Sequence, residues 1–299
     1  MLSKGKRQGG VGVEQVLRSI YQERASDPET LGVLLVEKRE EGDPITDTFD
    51  AILLIITSDE TTPIYTKHYS SDSGSAAMHV ISESQFRKWL LVSSKRKVVD
   101  WLFYGTVFFD RNEYVEKLKN ELREYPFLGR EIKMGLELSR LVRAYMEGKT
   151  FFEQEHYLDA YNHVVNSLHH LARLAVIEKG LFPEVTVWAQ VKKIDPAIYK
   201  LYEELIMSEE ELKKRLELLF LASEFFIHNR TADGAQHILG IMATKDCWEI
   251  QELHEHEELK LYSIELEVLV EFLIAKGFIA VVPSPSKNEL IYHRKYRVE

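Results

Sequence analysis

The stretch GDPITDTFDAILLIITSDE, residues 42–60, combines an uninterrupted apolar run with several aspartates. Its apolar residues, 51–56, are bounded by Asp, Thr and Ser, which is typical of a strand buried on both faces. Asp43, Asp47 and Asp50 come immediately before the apolar run. The segment therefore predicts a buried strand with carboxylates at its start.

Carboxylates at the start of a strand can hold a divalent cation beside a phosphate-bearing ligand, because hard cations prefer oxygen ligands. Transfer with two metal ions needs two carboxylates two residues apart on one strand, so that both side chains face the same way. Here Asp50 is followed by Ala51 and Ile52, and the second ligand is missing. Two interpretations stay open: a Mg²⁺ site that includes Asp47 and Asp50, or turn residues with solvated side chains.

The residues around this strand predict an α/β domain. A helix is expected over residues 13–23 and a second buried strand over residues 31–36. Weaker strand patterns cover residues 64–69 and 76–81, and a further helix is expected to begin near Ser82. Because strands and helices alternate, a mixed sheet covered by helices is the simplest architecture.

From Arg111 onward the apolar residues follow the period of a helix. One stripe covers residues 134–145 and a longer one covers residues 157–175, with Gly148 between them as the expected end of a helix. A third stripe covers residues 212–226. Amphipathic helices joined by short connections predict an all-α bundle.

The last segment has the element order of a winged helix-turn-helix. Short helical patterns at residues 238–243 and 248–253 precede a longer helix that is expected to begin at Ser263 and to end at Gly277. Two strand patterns joined by a Pro- and Ser-rich turn follow. The predicted domains are an α/β domain over residues 1–115, a helical bundle over residues 116–230 and a winged helix over residues 231–299.

The composition excludes several classes of protein. The 299 residues carry a formal net charge of -10, which argues against a surface that binds nucleic acid throughout. Cys247 is the one cysteine, so an internal disulfide and a multi-cysteine metal site are excluded. No apolar run approaches the roughly 18 residues of a membrane-spanning helix. These features predict a cytoplasmic protein without membrane contact.

A local basic cluster interrupts this acidic chain. It consists of Arg87, Lys88, Lys95, Arg96 and Lys97. Such a cluster can neutralise a nucleotide triphosphate or an RNA backbone, and Trp89 and Trp101 are close enough in sequence to stack on a base. The alternative is a solvated helix end, where cations favour the negative end of the helix dipole.

Three histidines follow the second helical stripe. His156, His163 and His170 recur every seven residues, so they lie along one edge of the helix. Side chains two turns apart are separated by about 10 Å of helical rise, which is too far to share a metal ion. We interpret them as polar residues that border a packed face, with His169 and His170 as the alternative lining of a substrate cleft.

The charges of the winged tail disfavour DNA. The predicted recognition helix carries Glu265, Glu267 and Glu271, and phosphate repulsion would oppose its entry into a groove. The wing does carry cations, among them Arg294 and Arg297. We therefore expect the tail to contact a protein partner or a second copy of the chain, with DNA as the disfavoured alternative.

The order of these elements resembles the nucleotidyltransferase-like proteins of Gram-positive bacteria. These proteins combine a kanamycin-type nucleotidyltransferase domain, a helical domain and a winged helix. The segment YGTVFFDRNEYVEKL, residues 104–118, is similar to the segment that leaves the catalytic domain of antibiotic nucleotidyltransferases. The segment GKTFFEQEHYLDAYNHVVNSLHHLARL, residues 148–174, is similar to their helical substrate-binding domain.

The resemblance implies a nucleotide and Mg²⁺ as ligands, and it gives Asp50 the place of a catalytic carboxylate. The family pattern has Gly-Ser after the first strand, where this chain has Glu37 and Lys38. It also has Asp-x-Asp at the strand that Asp50 enters, and a third carboxylate on a later strand that residues 76–80 do not supply. One carboxylate cannot organise two metal ions, so ordinary nucleotidyl transfer is not expected.

Three hypotheses follow. The first is a degenerate nucleotidyltransferase fold that binds a nucleotide or another phosphate-bearing ligand in a cleft between the α/β domain and the bundle. The second is an active enzyme that transfers a nucleoside monophosphate to a small molecule or a macromolecule, with missing ligands supplied by Asp43, Asp47 or Asp72. The third is a regulatory protein that uses its winged helix to contact DNA or a protein.

Overall fold

The computed structural model describes residues 13–39, 44–61, 64–72, 74–92, 97–124, 127–286 and 291–299. The chain divides into two compact units, residues 1–124 and 125–299. The first unit is α/β, and the second consists of helices followed by a strand hairpin, which confirms the predicted fold class. Asp43, Lys95 and Arg96 lie outside the described residues.

A five-stranded mixed sheet forms the centre of the first unit, with the strand order β3-β4-β2-β1-β5. The strands are β1 (Thr30–Glu37), β2 (Ala51–Thr57), β3 (Tyr65–Ser71), β4 (Gly74–Ser82) and β5 (Thr106–Asp110). Strands β2 and β4 run parallel, and the other neighbouring pairs are antiparallel. The parallel pair brings the starts of β2 and β4 to the same edge of the sheet.

Helices cover both faces of this sheet. They are α1 (Val13–Ser26), α2 (Glu83–Val92), α3 (Lys97–Tyr104) and α4 (Tyr114–Glu124). Ile52 and Leu54 of β2 share one core with α2, α3 and α4, whereas Leu53 and Ile55 share the other core with Leu17 of α1. Alternate residues of a strand point to opposite faces, so a strand buried on both faces needs a continuous apolar run.

Five helices open the second unit. They are α5 (Phe127–Glu153), α6 (Tyr157–Glu178), α7 (Val187–Ile194), α8 (Pro196–Met207) and α9 (Leu212–Gly234). The predicted stripes form its core, since Leu138 and Leu141 of α5 and Leu168 and Leu171 of α6 are fully buried. Asp195 caps the start of α8 by accepting a hydrogen bond from the Ile198 N–H.

The prediction that a helix ends at Gly148 is wrong, because α5 continues to Glu153. Gly148 lies at a close approach between helices. A Cβ atom at this position would lie 2.9 Å from the His163 Cβ and 3.3 Å from the Phe220 Cζ. The chain reverses instead at Glu155, whose φ is 62°. The glycine therefore permits close packing and does not end the helix.

The tail has the predicted order of helices and strands. It consists of α10 (Gln236–Met242), α11 (Ile250–Glu255), α12 (Leu266–Ala275), β6 (Ile279–Pro285) and β7 (Tyr292–Val298). Gly277, with φ of 78°, follows the end of α12 as expected. The start of this helix was expected at Ser263, but Ser263 has φ of 53° and the helix begins three residues later. Within the described residues, no helix is long and apolar enough to cross a lipid bilayer.

Candidate functional site

Asp50 lies at the sheet edge where β2 and β4 begin, and its side chain is exposed. Its Oδ2 accepts hydrogen bonds from the Ser75 N–H at 2.8 Å and from the Ser75 hydroxyl at 3.1 Å. The Asp50 N–H donates to the Ser75 carbonyl, and the Asp50 carbonyl accepts from the Lys38 N–H. Asp50 is therefore fixed between the end of β1 and the start of β4. Its carboxylate is oriented by Ser75 and reaches solvent.

Phe49, the residue before Asp50 in the chain, forms an aromatic pair with His68. The Phe49 ring lies 4.7 Å from the ring of His68 on β3. The Thr46 hydroxyl donates to the Phe49 carbonyl at 2.7 Å, which holds the turn before β2. Ser75, His68 and Phe49 were missed by the sequence analysis, because their proximity depends on strand pairing.

Asp47, the other predicted metal ligand, is engaged by a cation. Its φ is 55°, and its carboxylate forms an ion pair with the Lys97 ammonium at the start of α3. Among the described residues, no group of three or more His, Cys, Asp or Glu side chains is arranged to hold a metal ion. Mg²⁺ is often bound by one or two carboxylates together with phosphate oxygens. Asp50 fits that mode, whereas the described residues do not supply a closed metal site.

The basic cluster divides into residues with different roles. Arg87 forms ion pairs with Glu83 at 2.9 Å and with Glu121 at 2.8 Å, and so connects α2 to α4. The hydrogen bond to Glu121, assisted by the one to Glu83, holds the pKa of Arg87 above its usual value against the effect of burial. Lys88 is exposed, and Lys97 is paired with Asp47.

The two tryptophans of this region belong to the core. Trp89 and Trp101 are 8% and 6% exposed. The Trp101 Nε1–H donates to the Ile45 carbonyl at 2.8 Å, and its ring stacks on His79 at 5.3 Å. The interpretation that either ring stacks on a base is therefore wrong, because a base would have to displace core side chains.

The second unit contains a buried charged cluster between α5 and α6. Glu137, 2% exposed, accepts from the Arg173 Nε–H at 2.8 Å and lies 2.8 Å from the His170 Nδ1 and 3.7 Å from Arg140. Burial alone would raise the pKa of Glu137, but Arg173, His170 and Arg140 together hold it well below its usual range. The cluster thus holds an ionised carboxylate in the interior.

Lys133 lies one turn before Glu137 on α5 and is 4% exposed. Its ammonium lies 4.2 Å from the centre of the Phe182 ring. Burial, and secondarily the charge of Arg173, lower the pKa of Lys133 to about 7, although Glu137 acts in the opposite direction. The spacing of Lys133, Glu137 and Arg140 places all three on one helix face, and it is the signal in the sequence from which this cluster is predictable.

The histidine series borders packed surfaces, as the sequence analysis expected. His170 is bound to Glu137, and the His163 Nδ1 lies 3.3 Å from Glu147. The His163 ring also stacks on Phe151 at 5.2 Å. These contacts give the side chains structural partners along α5 and α6.

An α/β unit with a five-stranded mixed sheet, followed by a helical bundle and a winged tail, is the architecture of a nucleotidyltransferase-like protein. Three family models match consecutive parts of the chain: Nucleotidyltransferase-like over residues 13–130, YgxA-like substrate binding domain over residues 131–230, and Helix-turn-helix domain over residues 236–298.

The chain is 48% identical over 284 residues to the uncharacterized protein YgxA of Bacillus subtilis (strain 168), and the match covers 95% of this chain and 97% of YgxA. It therefore belongs to the YgxA family of nucleotidyltransferase-like proteins. The crystal structure of a nucleotidyltransferase-like protein from Exiguobacterium sibiricum 255-15 is also similar, with 38% identity and a TM-score of 0.80. That similarity covers 96% of this chain and 99% of the crystallised one.

Proposed function

We propose that this protein binds a nucleotide, or another phosphate-bearing ligand, with Mg²⁺ at the sheet edge where β2 and β4 begin. The observation that carries the proposal is the Asp50 carboxylate, which is exposed and is oriented by the N–H and hydroxyl of Ser75. An oriented carboxylate at the rim of a nucleotidyltransferase-like sheet is suited to one coordination position of a phosphate-bound cation.

The same geometry favours binding over transfer. Two-metal phosphoryl chemistry requires carboxylates that hold both ions about 4 Å apart. Among the described residues, no group of three or more His, Cys, Asp or Glu side chains is arranged to hold a metal ion, and Asp47 is paired with Lys97. We therefore propose a degenerate nucleotidyltransferase fold in which the ligand's phosphates supply most of the oxygen ligands of Mg²⁺.

The neighbouring cations differ in their suitability for phosphate contact. Arg87 is held by two carboxylates, and a phosphate would have to displace them. Lys97 is attached through Asp47 to the turn that leads into Asp50. Among the described cations, we propose that Lys97 and the exposed Lys88 contact phosphate. For Lys95 and Arg96, which lie outside the described residues, phosphate contact stays a prediction from the sequence.

Isothermal titration of the full-length protein with ATP, GTP, CTP and UTP, with and without MgCl₂, tests this function. We expect saturable binding of at least one nucleotide, with a component that requires Mg²⁺. Asp50→Asn should weaken that component by about tenfold or more, since hydrogen bonds and contacts to charged groups contribute about 1.5–3 kcal/mol. Glu116→Gln, which removes one exposed negative charge from α4 of the same unit, should leave it unchanged.

The outcomes separate the hypotheses. If no nucleotide binds at millimolar concentration, the proposal is wrong. If labelled nucleotide is transferred to an acceptor, and Asp50→Ala abolishes the transfer, the protein is an active enzyme whose other ligands remain to be found among residues such as Asp47 and Asp72. Binding that Asp50→Asn and Glu116→Gln weaken equally would place the ligand elsewhere.

We further propose that the winged tail contacts a protein and not DNA. Two of the wing cations are already matched by carboxylates of the same tail: Arg294 lies 2.9 Å from Glu271, and Lys295 lies 3.3 Å from Glu249. DNA binding would have to break these pairs beside the exposed Glu267. Apolar side chains such as Tyr292, 61% exposed, are better suited to a protein surface.

A mobility-shift titration of the full-length protein with duplex DNA at low and high salt tests this second proposal. We expect no shift at physiological salt. A salt-dependent shift that disappears in the variant Arg294→Glu/Arg297→Glu would contradict the proposal and assign the wing to DNA. Sedimentation of the same samples would report self-association, the other predicted form of protein contact.

A further inference from the structure

A cavity of about 480 Å³ opens in the second unit, where the first turns of α5 and α10 meet the ends of α6 and α9. It is independent of the Asp50 edge and uses none of its residues. The described residues of its lining are polar apart from one buried methionine. They are Arg130, Glu131, Met134, Glu178, Asn229, Arg230, Asp233 and Gln236.

The guanidinium group of Arg230, which lines the cavity, is matched by carboxylates. The Arg230 Nε lies 2.9 Å from Glu178, and its Nη2 lies 3.0 Å from Asp195. Among the described lining residues, the three carboxylates Glu131, Glu178 and Asp233 accompany two guanidinium groups. The lining therefore carries one more negative than positive charge.

Two of these carboxylates are available to a ligand. In the part of the chain that the structure describes, neither Glu131 nor Asp233 takes part in an ion pair or a side-chain hydrogen bond. Burial raises the pKa of Glu178, and the charges of Asp233 and Asp195 raise it further, against the attraction of Arg230. A cation in the cavity would relieve this repulsion, whereas an anion would increase it.

The other lining residues indicate which chemical class of ligand the cavity can bind. Met134, 6% exposed, is the apolar side chain among the described lining residues. The amides of Asn229 and Gln236 can accept hydrogen bonds from ammonium protons. We propose that this cavity binds a small aliphatic amine or diamine, with its ammonium group at Asp233 and Glu131 and its carbon chain against Met134.

Because of the position of the cavity, a bound ligand is expected to stabilise the folded second unit. Residues 131–230 match the substrate-binding family model, and Gln236 is the first residue that matches the helix-turn-helix model. A bound amine would contact both segments. We therefore expect the ligand to raise the midpoint of thermal unfolding, as any ligand does that binds the folded state alone.

Calorimetric titration of the full-length protein with putrescine, and with butanediol as its neutral counterpart, tests the proposal. Putrescine should bind saturably and the diol should not. Asp233→Asn should weaken the affinity for putrescine by about two- to fivefold, as expected for a partly exposed ion pair, and Asp233→Asn/Glu131→Gln should weaken it further. Glu217→Gln, which removes a negative charge from the same helix outside the cavity, should have no effect.

Three results would overturn the proposal. The first is the absence of saturable putrescine binding at millimolar concentration. The second is an equal loss of affinity in Glu217→Gln and Asp233→Asn, which would indicate attraction by overall charge. The third is displacement of putrescine by equimolar MgCl₂, which would assign the cavity to a divalent cation. Circular dichroism of each variant distinguishes lost binding from lost folding.

Discussion

The central strand β2 of the first unit and the helix pair α5–α6 of the second unit place their charged side chains in opposite ways. In the first unit, residues 51–56 of β2 are all apolar, and Asp50 lies just before them at the sheet edge, exposed to solvent. In the second unit, Glu137 and Arg173 lie inside the helix pair α5–α6, 2% and 4% exposed. A charge at an edge can meet a ligand, whereas a buried charge is already occupied by structural partners.

The difference has a physical origin. Both faces of β2 contact core residues, so a charged side chain in mid-strand would be desolvated without a partner. On α5, in contrast, Glu137 and Arg140 share a face that meets His170 and Arg173 of α6. Two facing helices can match several charges, which makes interior charges tolerable. Charge burial alone is therefore no sign of a binding site in this protein.

The largest expected effect is that of removing the buried carboxylate. Glu137→Ala should lower the free energy of unfolding by about 3–5 kcal/mol, because it leaves Arg173 buried without its acidic partner. Urea denaturation followed by circular dichroism measures the change. Glu210→Ala, which breaks the exposed Glu210–Lys214 pair, should cost less than about 1 kcal/mol. Similar losses in both variants would remove the contrast between interior and surface charges.

A smaller effect on the free energy of unfolding is expected from substituting Lys133, and this effect depends on pH. The pKa of Lys133 is lowered to about 7 by burial, so between about pH 7 and its ordinary value of 10.5 the unfolded chain binds more protons at this residue. The contribution of Lys133 to the free energy of unfolding therefore rises with pH across this window.

Lys133→Met should remove this contribution. We expect the variant to be more stable than the unmodified protein by about 1–4 kcal/mol at or below pH 7, with a difference that declines toward pH 10. Chemical denaturation at several pH values measures the difference. Lys149→Met, on the exposed side of the same helix, is the control and should show no such trend. A constant difference across the window would mean that Lys133 is protonated in the folded state throughout.

The smallest effect is expected at the sheet edge. Ser75→Ala removes the hydroxyl bond to Asp50 but keeps the backbone N–H bond. The free energy of unfolding should fall by less than about 1 kcal/mol, since this hydrogen bond is exposed. Affinity for a Mg²⁺–nucleotide should fall less than in Asp50→Asn. A loss of stability as large as that of Glu137→Ala would show that the edge serves the fold and not a ligand.

Local sequence patterns specify the helices and strands of this protein and their order along the chain. The apolar run of residues 51–56, the helical stripes and the order of the winged tail are local patterns, and each is readable from spacing alone. The predictions from sequence failed at two positions, because the residue type found there can serve two different structural purposes. The sequence pattern predicts a helix end at Gly148, but in the structure this glycine permits close packing. The sequence pattern also predicts a stacking surface at Trp101, but this side chain lies in the core.

Tertiary structure decided which side chains meet. Ser75 reaches Asp50 across 25 residues of chain, Lys97 reaches Asp47 across 50, and Glu137 reaches Arg173 across 36. These contacts follow from strand pairing and from the rotation of helices against each other. Local periodicity reports which face of an element is buried, but it carries no information about the partner that covers that face.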